Sequence, residues 1–204
     1  MKHIFNHCSV VPESLLSELE DFVAKNGLAE QVSYGPGENT QCAKLILDPP
    51  EPCTDELYLR ISLAALRFLS NFARQYVIPK HYPLRHPAFE PIELRRMLGP
   101  TREHSDGISP QVNANGISYR VASLILTVSD SADEIIFPSQ GVRIPLRRGD
   151  VVVFPPYWTH RHFTISKTPG RVSIVTHLRE TAPHADRKET LFLPLEFPRS
   201  LLRP

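Results

Sequence analysis

The sequence predicts an α+β fold, with N-terminal amphipathic helices packed on an antiparallel β-sandwich or jelly-roll core. Three observations carry this. Helical periodicity is confined to roughly the first 80 residues, and short β-branched segments dominate after Pro91. Twenty prolines in 204 residues, about twice the usual frequency, exclude long helices over most of the chain. A hydrophobic content of 41% against 22% charged residues indicates a packed core rather than disorder. The length suits one domain, read as helical support over about 1–90, a β-core over about 91–180 and a C-terminal extension over 181–204.

The elements follow in order. In Pro12–Asn26, Leu15, Leu16, Leu19, Phe22 and Val23 fall on one helical face, with Pro12 suited to the first turn and Gly27 to the stop. From Asp55 to about Val77, Leu59, Leu63, Leu66, Leu69, Phe72 and Ala73 line a second stripe that ends before Pro79. Between them, Ser33–Asn39 is a turn-forming stretch and Ala43–Leu47 a short strand. Prolines at 79, 83, 87 and 91 predict an extended loop over Ile78–Pro91. Strands are expected at Ile92–Leu98, Val121–Val128, Glu134–Pro138, Val142–Pro145, Val151–Phe154, His160–Ile165 and Arg171–Leu178.

Charge and composition exclude several function classes. With 23 basic and 22 acidic residues, the net charge of +1 gives no footprint for nucleic acid or an anionic membrane surface. No apolar run approaches the roughly 20 residues of a membrane span. The start, MKHIFNHCSVVPE, lacks an apolar signal core, so no secretory signal is expected. Three cysteines (Cys8, Cys42, Cys53) without a C-x-x-C pair fit a reducing, cytoplasmic setting and provide no zinc pattern. There is no P-loop, no G-x-G-x-x-G and no G-x-S-x-G elbow.

Chemistry concentrates in three places. His104-Ser105-Asp106 sets an imidazole and a carboxylate two apart, on one side of an extended segment. Alone, such a pair is common. A distant third ligand follows, in a turn, a buried strand, a proline-fixed corner and a histidine-bearing segment (Arg148 to His162). Two histidines and one carboxylate, two of them close and one remote, form the facial triad of non-haem Fe(II) oxygenases, which leaves positions open for co-substrate and O2. His160 and His162 both qualify as the third ligand, since two positions on one strand share a face. Past the Thr168-Pro169-Gly170 turn, Arg171 and Ser173 share a strand face and can offer a fork and a hydroxyl to a carboxylate. The remaining histidines, His177 among them, read as polar groups satisfied in place, and Tyr157–Trp158 reads as corner packing.

These pieces resemble the Fe(II)- and 2-oxoglutarate-dependent dioxygenases, specifically the prolyl-4-hydroxylase-like catalytic domain. The matching text is LRRMLGPTREHSDG, YRVASLILTVSD, the Gly149–Asp150 turn with VVVFPPYW, THRHF and GRVSIVTHL, within about Ile92–Leu178. The resemblance implies a double-stranded β-helix whose mouth holds Fe(II) on His104, Asp106 and His162. Its subgroup text Phe-Pro-x-x-Trp-x-x-x-His selects His162, with His160 as the alternative. It also implies 2-oxoglutarate chelated to the metal, its far carboxylate on Arg171 with Ser173 assisting. O2 would complete the reaction, hydroxylating a C–H bond of a small-molecule, amino-acid or peptidyl substrate and releasing succinate and CO2. The presence of Asp106 implies hydroxylation rather than halogenation.

The chain departs from the family in three places. Ala132-Asp133-Glu134-Ile135 stands where many members have Gly-Gly-Glu-Thr. Arg96 or Met97 stands where many have a tyrosine. The histidine-to-arginine spacing is 9 from His162 or 11 from His160, against about ten in the family. The rival readings are a cupin-like metal-binding barrel without 2-oxoglutarate and a non-catalytic β-roll interaction module.

Overall fold

The computed structural model describes residues 3–28, 30–33, 41–48, 55–108, 110–113, 116–181 and 191–192. Most of the predicted Ser33–Asn39 turn, Cys53 and nearly all of the C-terminal extension lie outside the described residues. In chain order the elements are β1 (Phe5–His7), α1 (Glu13–Asn26), β2 (Glu30–Ser33), β3 (Gln41–Ile46), α2 (Glu56–Phe72), β4 (Pro87–Phe89), β5 (Glu93–Met97), β6 (Gln111–Asn113), β7 (Gly116–Thr127), β8 (Glu134–Phe137), β9 (Val142–Pro145), β10 (Val151–Phe154), β11 (Phe163–Ile165), β12 (Arg171–Glu180) and β13 (Leu191–Phe192).

Two antiparallel sheets form the β-core. The larger runs β1-β10-β7-β12-β5-β3-β2, with β4 and β6 pairing to β12 and β7; the smaller runs β11-β8-β9. Strand alternation gives the large sheet two different faces. On β12, Val172, Ile174 and Leu178 join Leu124, Leu126, Val151 and Val153 in one apolar cluster with the buried residues of α1 and α2. The opposite face of β10 supplies Val152 and Phe154 to a second cluster with Ile135, Phe137, Ile144 and Leu146 of the smaller sheet region. All four residues of β10 are therefore buried, which explains its unbroken Val-Val-Val-Phe text.

The helices form as their sequence dictates. Leu15, Leu16, Leu19, Phe22 and Val23 are the buried face of α1. Asp55 caps α2 by accepting from the Tyr58 N–H at 2.9 Å. The predicted second helix does reach Val77, but Ala73–Val77 is a π turn closed by Ile78 N–H on the Ala73 carbonyl at 2.8 Å. The Arg148-Gly149-Asp150 turn ties α1 to the sheet. Gly149 sits at φ +84°, a conformation that favours glycine. Arg148 forks onto Glu13 at 2.5 Å and Glu20 at 2.9 Å, and Asp150 accepts from Ser9 N–H at 2.8 Å.

The first 90 residues are not helical support alone. β1, β2, β3 and β4 all belong to the large sheet. β4 arises inside the proline-spaced segment expected to be a loop; Pro87 is its first residue, a position where proline is tolerated. Strands of three or four residues hold too few positions for a period-two signal to register. The expected His160–Ile165 strand begins only at Phe163. Trp158–His160 is a 3-10 turn instead, following Pro155-Pro156, which fix the backbone and remove two donors.

Candidate metal centre and its cavity

His104 and His162 meet through an isolated antiparallel bridge. Each N–H donates to the other's carbonyl, at 2.9 and 2.8 Å. The bridge brings the rings to a centroid separation of 4.5 Å. Asp106, two residues beyond His104, completes the group: one ligand atom from each of His104, Asp106 and His162 lies within 4.8 Å of the others. Asp106 Oδ1 is 3.6 Å from His104 Nε2 and 3.8 Å from His162 Nε2.

The surroundings fix how these ligand atoms point. His104 Nδ1 lies 2.7 Å from the Arg102 carbonyl and His162 Nδ1 lies 3.1 Å from the His160 carbonyl. A carbonyl only accepts, so Nδ1 carries a proton in both rings, and each Nε2, on the Asp106 side, is the nitrogen left to hold a metal ion. Ser123 Oγ donates to Asp106 Oδ2 at 2.5 Å and is itself 3.1 Å from His177 Nδ1. The Asp106 backbone is held as well: its carbonyl accepts from Arg120 Nη1 at 2.8 Å, and Gly107 N–H donates to Pro156 O at 2.8 Å.

Burial alone would raise the Asp106 pKa. The His104 hydrogen bond, the neighbouring His162 and His177 and the Ser123 hydroxyl outweigh it and hold the carboxyl well below the usual range. Burial pushes His162 down against the pull of Asp106 and the His160 carbonyl, with the neighbouring His104 adding to the depression. His177 is pushed down to about 4, first by burial. At neutral pH the group therefore presents an ionised carboxylate and a neutral, buried His162, the forms in which these side chains bind a divalent ion.

The centre opens on a cavity of about 570 Å3 lined by Glu90, Glu93, Arg95, Met97, Arg120 and Val175 together with His104 and Asp106. Its charges are largely matched internally. Glu90 takes both Nε and Nη2 of Arg120 at 2.6 Å, and Arg179 Nε at 2.5 Å. Glu93 takes Arg95 at 2.6 Å. At the tyrosine position of the resembling family, Met97 lines the cavity, whereas Arg96 lies one residue off that alternation.

Arg171 and Ser173 lie on the same face of β12 as Val175 and His177. Their environment is specific: Arg171 Nε donates to Asp133 Oδ2 at 2.8 Å, and Nη1 donates to Ser173 Oγ. Asp133 Oδ1 in turn accepts from the Lys167 and Thr168 N–H groups at 2.6 and 2.8 Å.

His160 is buried but is not one of the three clustered residues. Its Nδ1 lies 3.0 Å from Thr159 Oγ1, and its carbonyl orients His162. Because it ends a 3-10 turn, the expected shared strand face with His162 does not exist. Trp158 is 79% exposed, so it does not pack the corner as expected. Ser123 escaped the sequence reading, Asp133 entered it only as a departure from the family text, and His177 only as a satisfied polar group. Their signal lies in strand register: Ser123 stands opposite His177 across β7 and β12.

No protein-family model and no curated protein matches the chain by sequence. Solved structures do match. A collagen prolyl hydroxylase from Paramecium bursaria Chlorella virus-1, in complex with 2-oxoglutarate, aligns at TM-score 0.61 and 15% identity over 88% of this chain and 97% of that one. A 2-oxoglutarate-Fe(II) oxygenase-family oxidoreductase from Burkholderia pseudomallei aligns at 0.59 and 16%, over 88% and 85%. A non-haem α-ketoglutarate-dependent epimerase from nogalamycin biosynthesis aligns at 0.57 and 12%, over 95% and 94%. Paired antiparallel sheets, a bridge that joins two histidines beside an aspartate, and these likenesses agree: the chain has the double-stranded β-helix fold of the Fe(II)- and 2-oxoglutarate-dependent oxygenases.

Proposed function

We propose that the protein is an Fe(II)- and 2-oxoglutarate-dependent dioxygenase that hydroxylates a C–H bond of a small-molecule, amino-acid or peptidyl substrate. The observation that carries this is the convergence of His104, Asp106 and His162, with ligand atoms within 4.8 Å of one another, beside a cavity whose wall includes His104 and Asp106. The donor set fits a ferrous ion: two imidazole nitrogens with their protons fixed on the far side, and one ionised carboxylate. The bound iron supplies O2 activation coupled to oxidative decarboxylation of the co-substrate, giving succinate and CO2.

The chain's own residues do the rest. His104, Asp106 and His162 hold the metal from one side and leave the cavity side for co-substrate, O2 and substrate. Ser123 and His177 orient Asp106. Arg171 and Ser173 receive the far end of the co-substrate. The solved structures that share this fold include prolyl hydroxylases and an α-ketoglutarate-dependent epimerase from nogalamycin biosynthesis, which supports keeping both peptidyl and small-molecule substrates in view. The exposed Cys8 is a free thiol, which supports a reducing, cytoplasmic setting; no helix among the described residues is long and apolar enough to cross a membrane.

The test is succinate release from 2-oxoglutarate by the Fe(II)-loaded protein across a substrate library, with metal content measured in parallel. Succinate should form, and Asp106→Ala should lose both metal and turnover. Metal retained without any response to a 2-oxo acid would favour the cupin-like reading.

A further inference from the structure

Arg171, on the β12 face that also carries the cavity residues Val175 and His177, is the group assigned to the co-substrate's far carboxylate, and a carboxylate already occupies it. The side chains of Arg171 and Asp133 are only 4% and 1% exposed, and they pair at 2.8 Å. Asp133 is not a loose neighbour. Its second oxygen takes two backbone N–H groups of the Lys167–Thr168 turn, so moving it away uncovers those donors. Ser173 Oγ is engaged by the same guanidinium. Directly opposite Ser173 on β7 stands Thr127, fully buried, whose hydroxyl has no hydrogen-bond partner among the described residues. This end of the site thus offers a neutralised cation and an unsatisfied hydroxyl.

Resting on the dioxygenase reading, we propose that Asp133 is a specificity-determining residue: it neutralises Arg171, so the site selects 2-oxo acids with an uncharged tail about as readily as 2-oxoglutarate. The physical ground is charge count. A distal carboxylate brought to Arg171 would share one buried guanidinium with Asp133, leaving two carboxylates against one cation in a site shielded from water. A methyl-ended tail meets no such penalty.

The experiment is calorimetric titration of the Mn(II)-loaded protein with 2-oxoglutarate and with 2-oxovalerate, which has the same chain length but ends in a methyl group. In the native protein the two dissociation constants should agree within about threefold. In Asp133→Asn, which keeps the shape and the acceptor for the Lys167–Thr168 turn, 2-oxoglutarate should tighten by roughly tenfold or more, because the guanidinium then gains an unshared charge-assisted partner. The 2-oxovalerate constant should stay put. If Asp133→Asn does not fold, the native ratio alone decides. Native protein that binds 2-oxoglutarate ten times tighter than 2-oxovalerate overturns the assignment and leaves the dioxygenase reading intact. Weaker 2-oxoglutarate binding in Asp133→Asn overturns it too, by making Asp133 a support for Arg171. Binding of neither acid overturns the dioxygenase reading and this proposal with it.

Discussion

The Ser123 hydroxyl has one proton, and its two neighbours settle where it points. Asp106 is ionised and can only accept, so Ser123 donates to it, and His177 Nδ1 must then carry the proton that reaches Ser123 Oγ. This relay stiffens the single anionic ligand. Ser123→Ala should therefore weaken Mn(II) binding about 10–100-fold, the usual cost of losing a group that orients a metal ligand, read by titration with electron paramagnetic resonance. An unchanged affinity would mean the His104–His162 bridge positions Asp106 unaided. The two candidate third ligands should separate as sharply. His162→Ala should abolish metal binding, and His160→Ala should keep it, because His160 acts on the site through its backbone carbonyl, which alanine retains; metal retained only in His162→Ala would reverse the assignment. The clustering of His104, Asp106 and His162 was readable in the sequence because two of them are near neighbours and the third follows a proline-fixed corner. Ser123 and His177 were not: they stand 54 positions apart, and only the β7–β12 register makes them a pair.

At the level of elements, Glu90 stitches three strands. It follows β4, and its carboxylate binds Arg120 of β7 and Arg179 of β12. Burial opposes its ionisation, but the Arg120 hydrogen bonds and the charges of His177, Arg120 and Arg179 outweigh burial and depress its pKa below the ordinary 4.5. A carboxyl depressed in the folded state adds stability above its unfolded pKa, and that stability is lost as pH falls from there toward the folded value. The melting temperature of Glu90→Gln should therefore lie well below that of the native protein at pH 7, and the gap should narrow as pH falls below about 4.5. A gap independent of pH would assign the loss to packing rather than charge. This network was hidden in the sequence for the same reason β4 was. A three-residue strand among prolines carries no periodic signal, so the arginine partners of Glu90 could not be inferred. By contrast β10 and β12 were legible, because burial on both faces or on alternate faces is written in their apolar pattern.

Across the whole molecule, stability and chemistry are assigned to opposite faces of one sheet. The helices α1 and α2 cover the face bearing Leu124, Leu126, Val172 and Ile174, while the metal group and cavity use the face bearing Ser123 and His177. This division is why two amphipathic stripes and a run of strands sufficed to read the fold class, while of the N-terminal strands that complete the sheet only β3 was expected, as Ala43–Leu47. It also makes the two functions separable by mutation. Leu69 of α2 is fully buried in the helix-side cluster. Leu69→Ala should cost about 2–5 kcal/mol of unfolding free energy in urea, the range for deleting a buried leucine side chain. It touches nothing in the metal group, so the Mn(II) dissociation constant of the folded protein should not change. Linkage then fixes a further expectation. A ligand that binds only the native state stabilises it by an amount set by its concentration relative to its dissociation constant, about 2.7 kcal/mol at a hundredfold excess. Native and Leu69→Ala proteins should gain the same increment from the same Mn(II) concentration, measured as parallel shifts of their urea transitions. A smaller increment in the variant would show that strain passes through the sheet from the helix-covered face to the metal group, and the two faces would then have to be treated as one coupled unit.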